Sequence, residues 1–348
     1  MKPFIFQLPT TTVDLVNESN IIYSTSSIFG QPLFKYGFHH FINQPKDKLV
    51  ILDTLEGKTF YNIIEQFNDD VPNYSDSIKN KVNLKRNKLE LWEVLSIFGL
   101  EGDLYCNDEE YDDVIKSFYS KNSLKYKIMD DYKKTDIYIN INKSDANIKQ
   151  LEQGHFPILL EALHEIGEGL NKNGNCIIKV YDTYTEVSIK LLKLMSEIFT
   201  ETYVYKPYIT YGRQANKYII GLNYKGNFKN SSKFKEILSE IKSEKLNNIF
   251  NNIAIPEQFE FVVKYMNIQL GNYEHKMTNI LVDYIKKSNY FGDLYHESLE
   301  KQKKSSEYWL DIFYSSNYKK NKETLASLIS KTIKDNNDDM IQMFKSLV

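Results

Sequence analysis

Residues 172–221 read KNGNCIIKVYDTYTEVSIKLLKLMSEIFTETYVYKPYITYGRQANKYIIG, and their pattern decides the fold. The segment NCIIKVYD (175–182) is a short apolar run entered from a glycine turn, which predicts a buried strand. TEVSIKLLKLMSEIFT (185–200) sets Val187, Leu191, Leu194, Met195 and Ile198 at helical spacing. ETYVYKP and NKYIIGLNYK (216–225) then read as two strands with a short connection. An antiparallel pair is expected at 201–206 and 216–224.

Working outward, the same alternation continues upstream. KLVILDTLEGKTFYNIIEQF (48–67) reads as a buried strand, a turn at Glu56-Gly57 and an amphipathic helix. KLELWEVLSIFGL (88–100) reads as a helix, KKTDIYININ (133–142) as a strand, and 147–174 as a helix ending at glycines. The segment 101–113 carries seven acids and no base and is expected to be a solvated loop. Residues 1–30 read as an extended arm, and 31–44 as a short helix after Pro32. From about residue 230 the pattern turns to long helices. The stripe Phe259, Val262, Val263, Met266 and Leu270 fits either core or a partner-facing surface. Strand–helix units in series predict an α/β sheet covered on both faces. The expected divisions are an arm and helix (1–44), a sheet domain (45–225) and a helical extension (226–348).

Composition bounds the function. The 348 residues are 42% hydrophobic and 26% charged, as in globular chains. The net charge is -2, so any nucleic-acid contact must rest on a local patch. No apolar run reaches the roughly 18 residues of a membrane span, and the N-terminus does not read as a signal peptide. Cys106 and Cys176 cannot form a disulfide framework or a cysteine metal site, and a reducing intracellular compartment is expected. His39-His40 lacks a third ligand, and His155 and His164 do not share a helix face, so no metal is expected. Of 44 basic residues only Arg86 and Arg213 are arginine. Lysine cannot replace the guanidinium fork, so Arg213 stands out.

The block 172–221 resembles the second half of FtsJ/RrmJ-type ribose 2′-O-methyltransferases. The matching residues are Gly174, Ile177-Ile178-Lys179, Lys206-Pro207, Arg213, Ala215-Asn216 and Tyr218-Ile219. The likeness extends back over about 30–225, with Lys35 at the lysine of the family's first helix. LVILDTLEGKTFYNII stands at the strand–turn–helix that holds S-adenosylmethionine, and TDIYININKSD at the strand of the catalytic aspartate. The resemblance implies a Rossmann-like methyltransferase fold: a mostly parallel sheet with an antiparallel edge hairpin, plus a C-terminal helical appendage. The family's chemistry uses two lysines, an aspartate and a glutamate to orient and activate the ribose hydroxyl. Here Lys35 and Lys179 remain, but Asn140 and Asn142 stand at the aspartate's place, with Asp145 beyond the strand. Asn216 stands at the glutamate's place. The donor turn is reduced to Asp53 and a single glycine, Gly57, with Glu56 beside it. Arg213 corresponds to a substrate-side arginine or simply pairs with an acid. Lys179 is an inherited site lysine or a strand-end lysine reaching solvent.

These losses suggest a noncatalytic descendant. The chain also resembles the small, stimulatory subunit of the poxvirus mRNA-capping enzyme, through Pro32–Phe41, Cys176-Ile177-Ile178-Lys179 and the long terminal helices. That resemblance implies a viral protein of the host cytoplasm, viral factory or virion. It would pair with a catalytic capping subunit and activate its cap guanine-N7 methyltransferase, with no cofactor of its own. Two alternatives stand beside it. One is an S-adenosylmethionine-dependent RNA 2′-O-methyltransferase, which would need a carboxylate near Lys179. The other is an RNA-binding or virion scaffold protein.

Overall fold

The computed structural model describes residues 4–10, 14–27, 36–54, 82, 84–142, 151–228, 231–242, 245–287, 292–315 and 318–347. Its strands are β1 (Phe4–Gln7), β2 (Tyr23–Ser26), β3 (Gly102–Cys106), β4 (Tyr126–Ile128), β5 (Thr135–Asn140), β6 (Leu170–Val180), β7 (Phe199–Lys206), β8 (Lys217–Tyr224) and β9 (Lys245–Ile249). Its α-helices are α1 (Tyr36–Lys48), α2 (Arg86–Phe98), α3 (Asp112–Asn122), α4 (Leu151–Gly169) and α5 (Glu186–Ile198). They continue with α6 (Ser232–Glu240), α7 (Glu257–Lys287), α8 (Asp293–Trp309) and α9 (Tyr318–Leu347).

The strand predicted from CIIK lies at the middle of a seven-stranded sheet of order β1-β7-β8-β6-β5-β3-β4. Cys176, Ile177, Ile178 and Val180 are buried on both faces, which explains the unbroken apolar run. On one side β6 pairs in parallel with β5, setting Ile139 beside Ile177. On the other it pairs antiparallel with β8, setting Lys179 beside Tyr218. The expected hairpin is present, β7 running antiparallel to β8 with Val204 opposite Ile219. β1 adds an antiparallel strand outside β7 and covers that edge.

Two cores flank the sheet. One gathers α4, α5, α6 and part of α7, and the other gathers α2, α3 and the C-terminal residues Trp309, Leu310 and Phe313. α5 is capped by Thr185, whose hydroxyl accepts the Ser188 N–H. α2 ends at Gly99, whose φ of 58° is the left-handed cap that a glycine adopts without strain. The stripe Phe259, Val262, Val263, Met266 and Leu270 is buried in the first core. The C-terminal region is helical except for β9, which pairs with β2 of the N-terminal arm.

Two sequence expectations are corrected. Leu49–Thr54 is a 3-10 helix, not a strand. Its Leu49 and Leu52 pack with Leu281, Val282 and Ile285 of α7, three residues apart as a helical turn requires. A short apolar run alone does not distinguish strand from helix. The acidic segment 101–113 is not a loop. It holds β3, with Leu104 and Cys106 buried, then a turn into α3. Its later acids, Asp112 and Asp113, sit in the first turn of α3, where the helix dipole favours negative charge. Lys35, Gly57 and Asp145, and the helix expected at 58–67, lie outside the described residues.

Candidate functional site

In a doubly wound sheet, ligands bind beyond the carboxyl ends of the strands where the winding reverses. Here the chain runs from β3 outward to β4, then returns to β5 on the other side of β3. The return from β4 to β5 uses only residues 129–134. The switch point therefore lies between β3 and β5. The turn there is Cys106-Asn107-Asp108-Glu109-Glu110-Tyr111, without glycine and with three consecutive acids. Asn107 ties the two strand ends together. Its N–H donates to the Ile139 carbonyl at 3.0 Å, and its Oδ1 accepts the Ile141 N–H at 2.9 Å. Asp108 caps the following turn by accepting the Glu110 N–H at 3.0 Å. Asp53, expected in the donor turn, belongs instead to Leu49–Thr54, and the donor strand's place beside β5 is taken by β3.

Lys179 sits at the carboxyl end of β6 and is 4% exposed. Its ammonium lies 3.0 Å from Oε2 of Glu90, a buried residue of α2. Glu90 also accepts from Asn216 Nδ2 at 3.0 Å and from the Tyr218 hydroxyl at 2.9 Å. Lys179 and Asn216, two residues assigned from sequence, thus meet around a carboxylate that the sequence reading did not single out. Burial pushes Glu90 up, but Lys179 and the hydroxyl donors outweigh it and hold the carboxyl below its ordinary range. Burial likewise favours neutral Lys179, and Glu90 reverses this and raises its pKa. The pair is ionised, and a lysine so held is a poor base.

Asn140 and Asn142 do not join this group. Asn140 donates to the Tyr138 hydroxyl at 3.2 Å, and Tyr138 in turn donates to Glu165 of α4 at 2.5 Å. That is the opposite face of the sheet from α2. Asn142 lies past the strand, its N–H 3.3 Å from Asn140 Oδ1. Arg213 lies in the turn between β7 and β8, its guanidinium 5.3 Å from the centre of the Tyr211 ring.

One turn beyond Glu90, the fully buried Glu93 receives four donors. They are the Tyr205 hydroxyl, Tyr208 N–H at 2.6 Å, Ile209 N–H at 3.2 Å and Trp309 Nε1 at 2.8 Å. Burial pushes its pKa up to about 7, against the pull of those donors. Trp92 Nε1 donates to the Phe313 carbonyl at 2.7 Å. Glu93 and Trp92 thereby fasten the C-terminal helices to α2 and to the loop after β7.

A second buried charge cluster fills the carboxyl edge beyond β6. Asp182 pairs with Lys46 of α1 at 3.3 Å. Lys206 donates to the Gln214 carbonyl and Lys217 to the Ala215 carbonyl. Glu274 of α7 is buried with them. Burial lowers the Lys206 pKa to about 8. The residues missed from sequence, Glu90 and Glu93 above all, did leave a signal. Each is an acid within the otherwise apolar run Leu89-Glu90-Leu91-Trp92-Glu93-Val94-Leu95. Among the described residues no group of three His, Cys, Asp or Glu could hold a metal, and no helix is long and apolar enough to cross a membrane.

The reversed winding about β3, the helices on both faces and the antiparallel β7–β8 pair define a Rossmann-like methyltransferase fold. Residues 120–224 match the model of the FtsJ-like methyltransferase family. The matched stretch opens within α3 and takes in β4 to β8, while β3 and the switch-point turn precede it. The chain is also similar to an uncharacterized protein of Acanthamoeba polyphaga mimivirus, a large DNA virus. The two are 23% identical over 334 residues, covering 90% of this chain and 91% of that protein.

Proposed function

We propose that this chain is a noncatalytic subunit of FtsJ-like fold that stabilises and activates a viral mRNA cap guanine-N7 methyltransferase. The observation that carries the noncatalytic part is the switch-point turn. A methyl donor's backbone-like carboxylate needs close approach and positive surroundings, which glycines and free N–H groups supply. Cys106–Tyr111 offers three acids and no glycine, and its Asn107 is bonded through its N–H and Oδ1 to the end of β5, leaving its buried Nδ2 as the donor without a partner. The activating role is supported by the resemblance to the capping stimulatory subunit, and the viral setting by the mimivirus relative. The partner is a catalytic capping subunit, and RNA contact is secondary.

An FtsJ-like domain implies S-adenosylmethionine-dependent methyl transfer, and one observation favours that second reading. Glu90 is a carboxylate beside Lys179, as an active 2′-O-methyltransferase with rearranged residues would need. Isothermal titration with S-adenosylmethionine separates the two. The noncatalytic reading expects no measurable heat at millimolar donor. Micromolar binding that survives Glu90→Gln refutes it and supports a ribose methyltransferase.

A further inference from the structure

α4 and α6 both pack on the first core and touch each other at one end. There Gly167 leaves room for the Ser231 side chain, whose Oγ donates to Glu168 at 2.7 Å. Toward Pro157 the two helices enclose a groove of about 410 Å³. Ile158, Leu238 and Ile241 line it and are only partly buried, and Pro157 is exposed. Leu238 and Ile241 rest on the first core beneath.

The charges stand on two opposed walls. Lys235 and Lys242 are on the α6 side and Glu161 is on the α4 side. Lys233 of α6 is paired with Glu236 at 2.5 Å, but among the described residues Lys235, Lys242 and Glu161 are in no ion pair. Both walls are helices, whose main-chain groups are bonded internally, so an extended peptide finds no strand edge to pair with. An occupant that satisfies its own main chain and still brings apolar anchors to the floor is an amphipathic helix. Acids on one flank of that helix meet Lys235 and Lys242, and a base on the other meets Glu161, which fixes how it is turned in the groove. We infer that the groove seats an amphipathic helix of the catalytic capping subunit, acidic on the flank that faces α6. For the partner's identity the inference rests on the proposed function. A stable interface buries about 1,200–2,000 Å² in total, so the groove anchors a wider contact rather than forming all of it.

The test uses the full chain and a catalytic viral cap N7-methyltransferase, with affinity read by biolayer interferometry and folding by circular dichroism. Ser239, exposed on the groove wall, tolerates change without touching the core. Ser239→Trp fills the groove, and Lys235→Glu with Lys242→Glu reverses its basic wall. Each should weaken the complex about tenfold or more. The control Lys303→Glu with Lys304→Glu makes the same charge change at exposed positions of α8 and should leave affinity within about twofold. Hydrogen exchange should show α4 and α6 protected in the complex. A complex that forms but is indifferent to the groove variants overturns this inference and leaves the proposed function standing. Equal weakening by the control overturns it in favour of unspecific charge attraction. Self-association of the unaltered chain that Ser239→Trp abolishes overturns it in favour of a second copy in the groove. No complex with the unaltered chain overturns both the inference and the proposed function.

Discussion

Lys179→Met takes the cation out of a buried pair and strands Glu90. Removing one partner of a buried ion pair costs about 3–5 kcal/mol, because the other charge is left without water or counterion. Glu90 keeps donors from Asn216 and Tyr218, so the low end, about 3 kcal/mol, is expected. Against a total stability of about 5–15 kcal/mol that is a large loss. Glu90→Leu strands the ammonium instead, with the Tyr218 ring 5.7 Å from it, and should likewise cost about 3–5 kcal/mol. The double variant Lys179→Met, Glu90→Leu removes both charges and should lie near wild type, since apolar replacement of a whole buried pair is often neutral. Urea denaturation followed by circular dichroism measures all four proteins. The pH dependence carries the sign of the pair. Glu90, depressed below its ordinary 4.5, contributes stability above that value, lost as pH falls through its folded pKa. Lys179, raised above 10.5, contributes below that value, lost as pH rises through its folded pKa. The pair's contribution is therefore flat between about 4.5 and 10.5 and missing in the single variants. A Lys179→Met cost under about 1 kcal/mol, or a double variant as weak as the worse single, would refute the reasoning.

Three further outcomes follow from neighbouring groups. Glu93 has the opposite sign: raised from 4.5 to about 7, it favours folding at low pH and loses that contribution as pH climbs between those values. Glu93→Gln should remove a slope of order 3 kcal/mol across pH 4.5–7, read from urea midpoints; an unchanged slope contradicts the assignment. Trp309→Phe deletes one of four donors to Glu93 and should cost about 1–3 kcal/mol, with faster hydrogen exchange in α8 than in α4. Equal exchange in both helices would deny Glu93 its role in fastening the C-terminal helices. Asn107→Ala leaves the Ile141 N–H unbonded and should cost about 1–3 kcal/mol without creating donor binding in a calorimetric titration.

Much of the fold was legible because apolar periodicity is a local property. CIIK, the helix after Thr185 and the β7–β8 pair all announce themselves within a few residues. The failures came where context decides. LVILD is as apolar as a central strand, yet it coils against α7 because the slot beside β5 is filled by β3. GDLYC was hidden by acids that serve the ends of the strand and helix rather than their buried faces. The site divides the same way. Lys179 and Asn216 were identifiable by position, and they do meet. Their shared partner Glu90 lies 89 residues before Lys179, a pairing that only the tertiary fold produces. Asn140 was placed with them by analogy, but strand alternation turns it to the α4 face.

The central claim, a methyltransferase fold kept for its partner rather than for chemistry, is tested most directly by a methyl-transfer assay on capped RNA. Labelled S-adenosylmethionine is supplied to this chain alone, to a catalytic viral cap N7-methyltransferase alone, and to the two together. The account predicts no transfer by this chain, and a higher rate or longer-lived activity in the mixture, with a complex that survives gel filtration. Ribose methylation by this chain alone, abolished by Lys179→Ala in a variant that still folds, would contradict it. So would a mixture no faster, no more stable and no more associated than its parts.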